Sequence, residues 1–236
     1  MTSARLDCAE LTTREFNREL RRLQAEGAQV VDVANPAARH NLAVALEATE
    51  NRPFTVRFAG PVGWYAAGMN DGPRVEVRGN CGWGVAECMM RGSVTVHGHA
   101  GSGAAASVRG GTVRIGGDAG ARAGIAMKGG TLVVGGSVGY MSGFMMQRGT
   151  MIVCGDAADG LGDSLYEGVI YVAGKVAGFG ADAEERPLDD ADLAVLATEL
   201  GAAGIDLAPD RFTKVVAGRK LWNFAAKDAE LWRAHL

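Results

Sequence analysis

Aromatic residues make up only 6% of this 236-residue chain, so its core must be built from small and branched side chains. Cysteine is scarce as well. Cys8, Cys81, Cys88 and Cys154 form no C-x-x-C pair, and their spacing suits a reducing cytoplasm better than a disulfide framework. No run of five like charges occurs and the net charge is −3, so the basic patch of a nucleic-acid binder is missing. No stretch approaches the roughly 18 apolar residues of a membrane helix. The opening "MTSARLDCAE" has no apolar segment after its charge, unlike a secretory signal. These absences predict a cytoplasmic protein with neither nucleic acid nor membrane as partner.

Glycine is abundant, with 35 residues, about twice the usual share. It does not recur at every third position, which excludes collagen. One glycine-rich stretch, Gly135-Gly136-Ser137-Val138-Gly139, fits the G-x-S-x-G pattern of a nucleophilic serine. The surrounding register decides against that chemistry. Strand-like segments end at Gly60, Gly79, Gly98, Gly117, Gly136, Gly155 and Gly174, 19 residues apart throughout. A second column runs Gly92, Gly111, Gly130, Gly149 and Gly168, and a looser third runs from Gly63 to Gly139. Ser137 is one place beyond its column glycine, where neighbouring repeats carry Asp118 and Asp156. No helix follows, as a nucleophile elbow requires. "GNCGWG" (79–84) and "GHAGSG" (98–103) fail as phosphate loops for the same reason.

Alternation within each strand puts two columns on one face. One is Val56, Val75, Val94, Val113, Leu132, Met151, Ile170; the next is Phe58, Val77, Val96, Ile115, Val134, Val153, Val172. A small-residue column (Val62, Cys81, Ala100, Ala119, Val138, Ala157, Val176) and a larger one (Met89, Val108, Met127, Met146, Leu165) follow in each repeat. Each repeat buries its face only against its neighbours. The fold class predicted is mainly β: a right-handed parallel β-helix of about seven coils, with strands roughly 4.8 Å apart and glycines at the corners for positive φ or close approach.

Three regions are expected. Residues 1–50 form an α/β cap, 51–183 the glycine-repeat solenoid and 184–236 a helical C-terminal segment. In the cap, Thr12 and Glu15 make a capping-box signature ahead of Leu11, Phe16, Leu20 and Leu23, with Gly27 as a stop. "QVVDV" (29–33) reads as a strand, and residues 37–49 as a second helix. A third helix is expected over 187–204, and the last stretch carries Phe212, Leu221, Trp222, Phe224, Leu231 and Trp232. The outward strand column turns from polar (Arg57, Glu76, Thr95, Arg114) to apolar (Val133, Ile152, Tyr171). An open sheet face should stay polar, so something covers Val133, Ile152 and Tyr171. Either the C-terminal segment with Trp222 and Phe224 folds back over them, or they are a partner surface.

No catalytic, cofactor-binding or metal-binding residue is assigned. His97 and His99 read as an outward strand residue and a turn residue, and zinc would want three or four ligands. The cysteines read as small core thiols. Glu87 and Asp163 share a column but are four repeats apart, too far for a carboxylate pair. Asp118 and Asp156 are the only regular acids, too few for a calcium-loaded solenoid.

The glycine columns, the 19-residue period and the lead-in "VVDVANPAARHNLAVAL" together resemble the C-terminal glycine-repeat (GXGXG) β-helix domain of the glutamate synthase large subunit, over roughly residues 28–180. The likeness is to stand-alone subunits of three-subunit glutamate synthase-like enzymes, including N-methylglutamate synthase of methylamine-using bacteria. The C subunit of formylmethanofuran dehydrogenase is similar more loosely. The resemblance implies a non-catalytic structural subunit of a hetero-oligomeric oxidoreductase or transferase. It would bridge an amidotransferase-like subunit and an FMN-binding synthase subunit around an ammonia or methylamine tunnel. FMN and an iron–sulfur cluster are then expected on a partner subunit, with no cofactor on this chain. A self-assembling β-helix scaffold is the alternative, and terminal caps weigh against it.

Overall fold

The computed structural model describes residues 2–218. Strands recurring at a fixed interval can pair only if every coil returns to the same register, and here each does. β1 (Ser3–Asp7), β2 (Val30–Ala34), β3 (Thr55–Phe58), β4 (Asp71–Val77), β5 (Arg91–Val96), β6 (Thr112–Ile115), β7 (Lys128–Val134), β8 (Arg148–Val153) and β9 (Val169–Val172) follow one another in a parallel sheet. The pairing runs Val56 to Val75, Val94, Val113, Leu132, Met151 and Ile170 without a slip. Every member of both inward columns is buried. At about 1.5–3 kcal/mol for each such side chain, this stack is the main source of stability. A second ladder of parallel bridges joins Val62, Cys81, Ala100, Ala119, Val138, Ala157 and Val176, the small-residue column. The protein is a mainly β parallel solenoid of six to seven turns, with one helix near each end.

The glycine columns have two different causes. Gly92, Gly111, Gly130 and Gly149 have φ between 73° and 100°, where any Cβ is strained. Among Gly98, Gly117, Gly136, Gly155 and Gly174 no such angle occurs, and the reason is proximity. A Cβ on Gly117 would lie 2.6 Å from His99 Nδ1, and one on Gly155 2.6 Å from Ser137 Oγ. The coils stack too closely there for a side chain.

The N-terminal end departs from the expected cap in two ways. β1 was not anticipated; it pairs in parallel with β2 and extends the sheet. Residues 37–49 are not a helix. Asn41, Ala43 and Ala45 have φ near 50–55°, which breaks any right-handed helix. Leu42 and Leu46 are buried at helical spacing, and that local spacing imitates an amphipathic helix. Non-local pairing prevails: Asn41 and Ala45 donate N–H bonds of 2.8 and 2.9 Å to Trp64 and Gly68 of the next coil. The solenoid therefore begins inside residues 1–50.

α1 (Thr13–Ala25) opens with the Thr12–Glu15 capping box and closes the core's first end. Phe16 and Leu20 are buried, with the Phe16 ring 6.0 Å from that of Phe58. Its polar side chains do a second job. Asn17 Nδ2 donates to the Asn41 carbonyl at 2.7 Å and Arg21 to the Val44 carbonyl at 2.9 Å, satisfying acceptors that lack a preceding coil. At the far end β11 (Thr213–Ala217) pairs antiparallel with β9 and with β10 (Ala183–Arg186). The C-terminal region is thus part strand. α2 (Asp190–Ala203) lies within it, begun by an Asp189–Asp192 capping box and ended at left-handed Gly204.

Candidate interaction surface

The candidate groups for catalysis resolve into structure. Asn80 Oδ1 accepts the His99 N–H, His99 Nδ1 accepts that of Asp118, Asp118 Oδ1 that of Ser137, Ser137 Oγ that of Asp156, and Asp156 Oδ1 that of Lys175. All five distances fall between 2.7 and 2.9 Å. This polar ladder runs along one corner, and each rung fills the space left by a column glycine of the next coil. Ser137 is a rung with its Oγ committed to an amide. His99 is a rung whose Nδ1 must be unprotonated to accept.

His97 is exposed, 3.0 Å from the Glu76 carboxylate. Burial pushes the Cys81 thiol up to about 12, and the Cys8 and Cys154 thiols to about 11, the opposite of an activated nucleophile. Among the described residues no three His, Cys, Asp or Glu side chains converge as a metal site would require.

On the outward sheet face the polar half is a charge ladder. Arg57 lies 3.9 Å from Asp32 and 3.6 Å from Glu76. The apolar half is not a partner surface. Val133, Ile152 and Tyr171 are buried beneath α2, packed with Leu196, Leu200 and Phe212. The chain covers the column itself with α2; Trp222 and Phe224, which were expected there, lie outside the described residues. α2 is held at both ends of the contact. Glu199 takes Arg114 at 3.3 Å, while Asp192 accepts from Tyr171 Oη at 2.6 Å and Lys214 Nζ at 2.7 Å.

A different face is left open. In each coil three alternate residues are left-handed: Tyr65, Ala67, Met69; Gly84, Ala86, Cys88; Gly103, Ala105, Ser107; Arg122, Gly124, Ala126; Met141, Gly143, Met145. Each left-handed non-glycine residue costs about 1–2 kcal/mol in isolation. Pairing on both sides offsets that cost. Gly103 and Ser107 donate to Ala121 and Ile125 of the following coil, and Ala105 donates to Val85 of the preceding one. The resulting flat wall turns large apolar side chains outward. Trp64, Tyr65, Met69, Trp83, Met90, Tyr140 and Met145 are all at least 41% exposed. His40, Trp64 and Trp83 stack in series, with ring centroids 4.6 and 5.3 Å apart and planes within 17°.

Scattered exposed apolar residues are ordinary, but aromatic rings stacked in series on an exposed face, as His40, Trp64 and Trp83 are, suit an interaction site. The sequence carries its signal: Trp64 and Trp83 are one period apart, Tyr140 three further on. Both tryptophans lie outside the inward columns, and exposure cannot be read from composition.

No family model matches the chain. A 76-residue stretch is 43% identical to Protein GlxC of Rhizobium meliloti (strain 1021), covering 32% of this chain and 32% of that protein. The match therefore spans about a third of each. Among the described residues no helix is long and apolar enough to cross a membrane.

Proposed function

We propose that this chain is a non-catalytic structural subunit of a multi-subunit glutamate synthase-like enzyme, N-methylglutamate synthase in particular. In this reading it bridges an amidotransferase-like subunit and an FMN-binding synthase subunit, with the flavin and an iron–sulfur cluster on the partner, in the cytoplasm. The observation that carries the proposal is the stacked His40–Trp64–Trp83 column on an exposed apolar wall. Such a rigid, flat array offers ready-ordered aromatic anchors to another protein. The period-19 solenoid and the similarity to Protein GlxC over a third of the chain support the same reading. End-to-end self-assembly is disfavoured because α1 closes one end of the core and antiparallel β11 and β10 close the other. The test is affinity purification of the tagged chain from its native host. Recovery of a flavin-containing protein together with an amidotransferase-like chain supports the proposal; recovery of the chain alone, or flavin bound by the purified chain itself, contradicts it.

A further inference from the structure

One column of the exposed wall changes side-chain size in a particular order. The amides of Asn41, Tyr65, Gly84, Gly103 and Arg122 donate to the carbonyls of Trp64, Trp83, Ser102, Ala121 and Tyr140, at 2.7–2.9 Å. These bonds place His40, Trp64, Trp83, Ser102, Ala121 and Tyr140 one above another, one per coil. The first three are stacked rings. The next two coils supply only a hydroxymethyl and a methyl group. Tyr140, 53% exposed, leans on the following coil, its Cε2 3.5 Å from where a Cβ on Gly160 would stand. A gap therefore opens over Ser102 and Ala121. Trp83 and Tyr140 are three coils apart, about 14 Å at the spacing of parallel strands. Two further rings at stacking distance fill that length.

Two stacked tryptophans are what this chain itself projects beside the gap. Turning the column end over end about the midpoint between Trp83 and Ser102 brings Trp83 onto Ser102 and Trp64 onto Ala121. It also brings His40 level with Tyr140. The column is its own complement, as an isologous two-fold contact requires. Charge agrees. Over the five coils of the wall (63–69, 82–88, 101–107, 120–126 and 139–145) the only charged side chains are Glu87 and Arg122. The same rotation sets neither against its own kind. Arg122 comes level with the Trp64 ring of the second copy, one coil from that copy's Glu87. Ring face and opposite charge both favour that placement. A centre rich in aromatics and poor in charge is the composition of an interface core.

We propose that a second copy of this chain docks on the wall in this antiparallel arrangement, Trp83 and Trp64 of each copy filling the gap over Ser102 and Ala121 of the other. The pairing belongs to the chain apart from other subunits: a subunit that anchors on Trp64 and Trp83 displaces the second copy. It does not rest on the assembly proposed above.

Sedimentation equilibrium of the full chain over a range of concentrations tests this. Expected is a reversible monomer–dimer equilibrium that stops at two copies. Trp83→Ala should raise the dissociation constant of the dimer at least about 30-fold, since each copy loses an anchor. Ser102→Trp is the sharper variant. It continues the row from within and fills the seat, so the dimer should be lost, whereas a merely sticky surface would associate more strongly. At dilutions where the parent is monomeric, both variants should melt within a few degrees of it, since Trp83 is exposed and Ser102 partly so. A chain that is monomeric throughout overturns the proposal. So does association indifferent to Trp83→Ala, association intact or stronger in Ser102→Trp, or growth beyond two copies. A monomer here leaves partner recovery from the host unaffected, and failed recovery leaves the dimer's mass unaffected.

Discussion

Tyr171 of β9 and Asp192 of α2 meet at 2.6 Å, the phenol donating to a carboxylate that also holds Lys214 at 2.7 Å. This contact fixes a helix over the one stretch of sheet face that turns apolar. Burial pushes the Asp192 carboxyl up, but bonds from Lys214, Tyr171 and the Asp189 amide outweigh it, and its pKa falls below the usual value. The bond to Asp192 likewise raises Lys214, and burial followed by the same bond raises Tyr171.

A depressed carboxylate stabilises the fold above its unfolded pKa, and that contribution disappears as pH falls through the folded value. Raised Lys214 and Tyr171 contribute below their unfolded values and cease to as pH rises through the folded ones. The latch should therefore be complete between about pH 4 and pH 10. Asp192→Ala leaves the partly buried Lys214 with only Asp189, at 3.5 Å, and should cost about 1–3 kcal/mol at neutral pH. Chemical denaturation across pH checks this: the gap from the parent should close below the ordinary carboxylate range. A gap that persists unchanged in strong acid would mean packing, not charge, is lost.

Ile152 is fully buried under α2, so Ile152→Lys inserts an unpaired charge into the sheet–helix contact. We expect several kcal/mol of destabilisation and binding of a hydrophobic dye as α2 is displaced. An unchanged melting curve would show that the column is not sealed.

Val96 and Thr95 are neighbours facing opposite ways, the first buried and the second half-exposed between Glu76 and Arg114. Val96→Asp should unfold its coil, whereas Thr95→Asp should melt within a few degrees of the parent. Equal melting temperatures would reject the inward column.

The corner ladder predicts a coupling. A Cβ on Gly136 collides with Asp118 Oδ1 and comes within 2.9 Å of the Gly117 carbonyl carbon. Gly136→Ala and Asp118→Ala should each destabilise, the latter by about 1 kcal/mol for the freed Ser137 amide. Together they should cost less than the two effects added, because one substitution removes the atom the other strikes. Strict additivity in a double-mutant cycle would mean the side chain is not the obstacle.

Much of the fold was legible because repetition amplifies weak signals: columns such as Val75, Val94 and Val113 report one environment many times over. The Thr12 cap was legible too, since a cap is local chemistry, whereas the helix expected from residue 187 starts only at Asp190, after the Asp189 cap. Residues 37–49 misled because Leu42 and Leu46 have helical spacing, and only contacts with the following coil impose the left-handed angles. The cover over Ile152 was anticipated as a need, but its identity depended on tertiary placement of Leu196 and Leu200. The exposed Trp64–Trp83 stack went unread because its residues carry no catalytic pattern and lie outside the inward columns.

In the proposed assembly, the exposed face around Trp64 and Trp83 binds a partner protein. The direct measurement is calorimetric titration of the chain, parent or Trp83→Ala, with the flavin-containing protein that the proposed assembly predicts will be recovered from the host. Trp83 is exposed, so its removal should leave the melting temperature within a few degrees of the parent. It should weaken binding by about 2 kcal/mol or more, as expected of a buried aromatic anchor. Binding at parental affinity by a folded Trp64→Ala/Trp83→Ala variant would contradict the account.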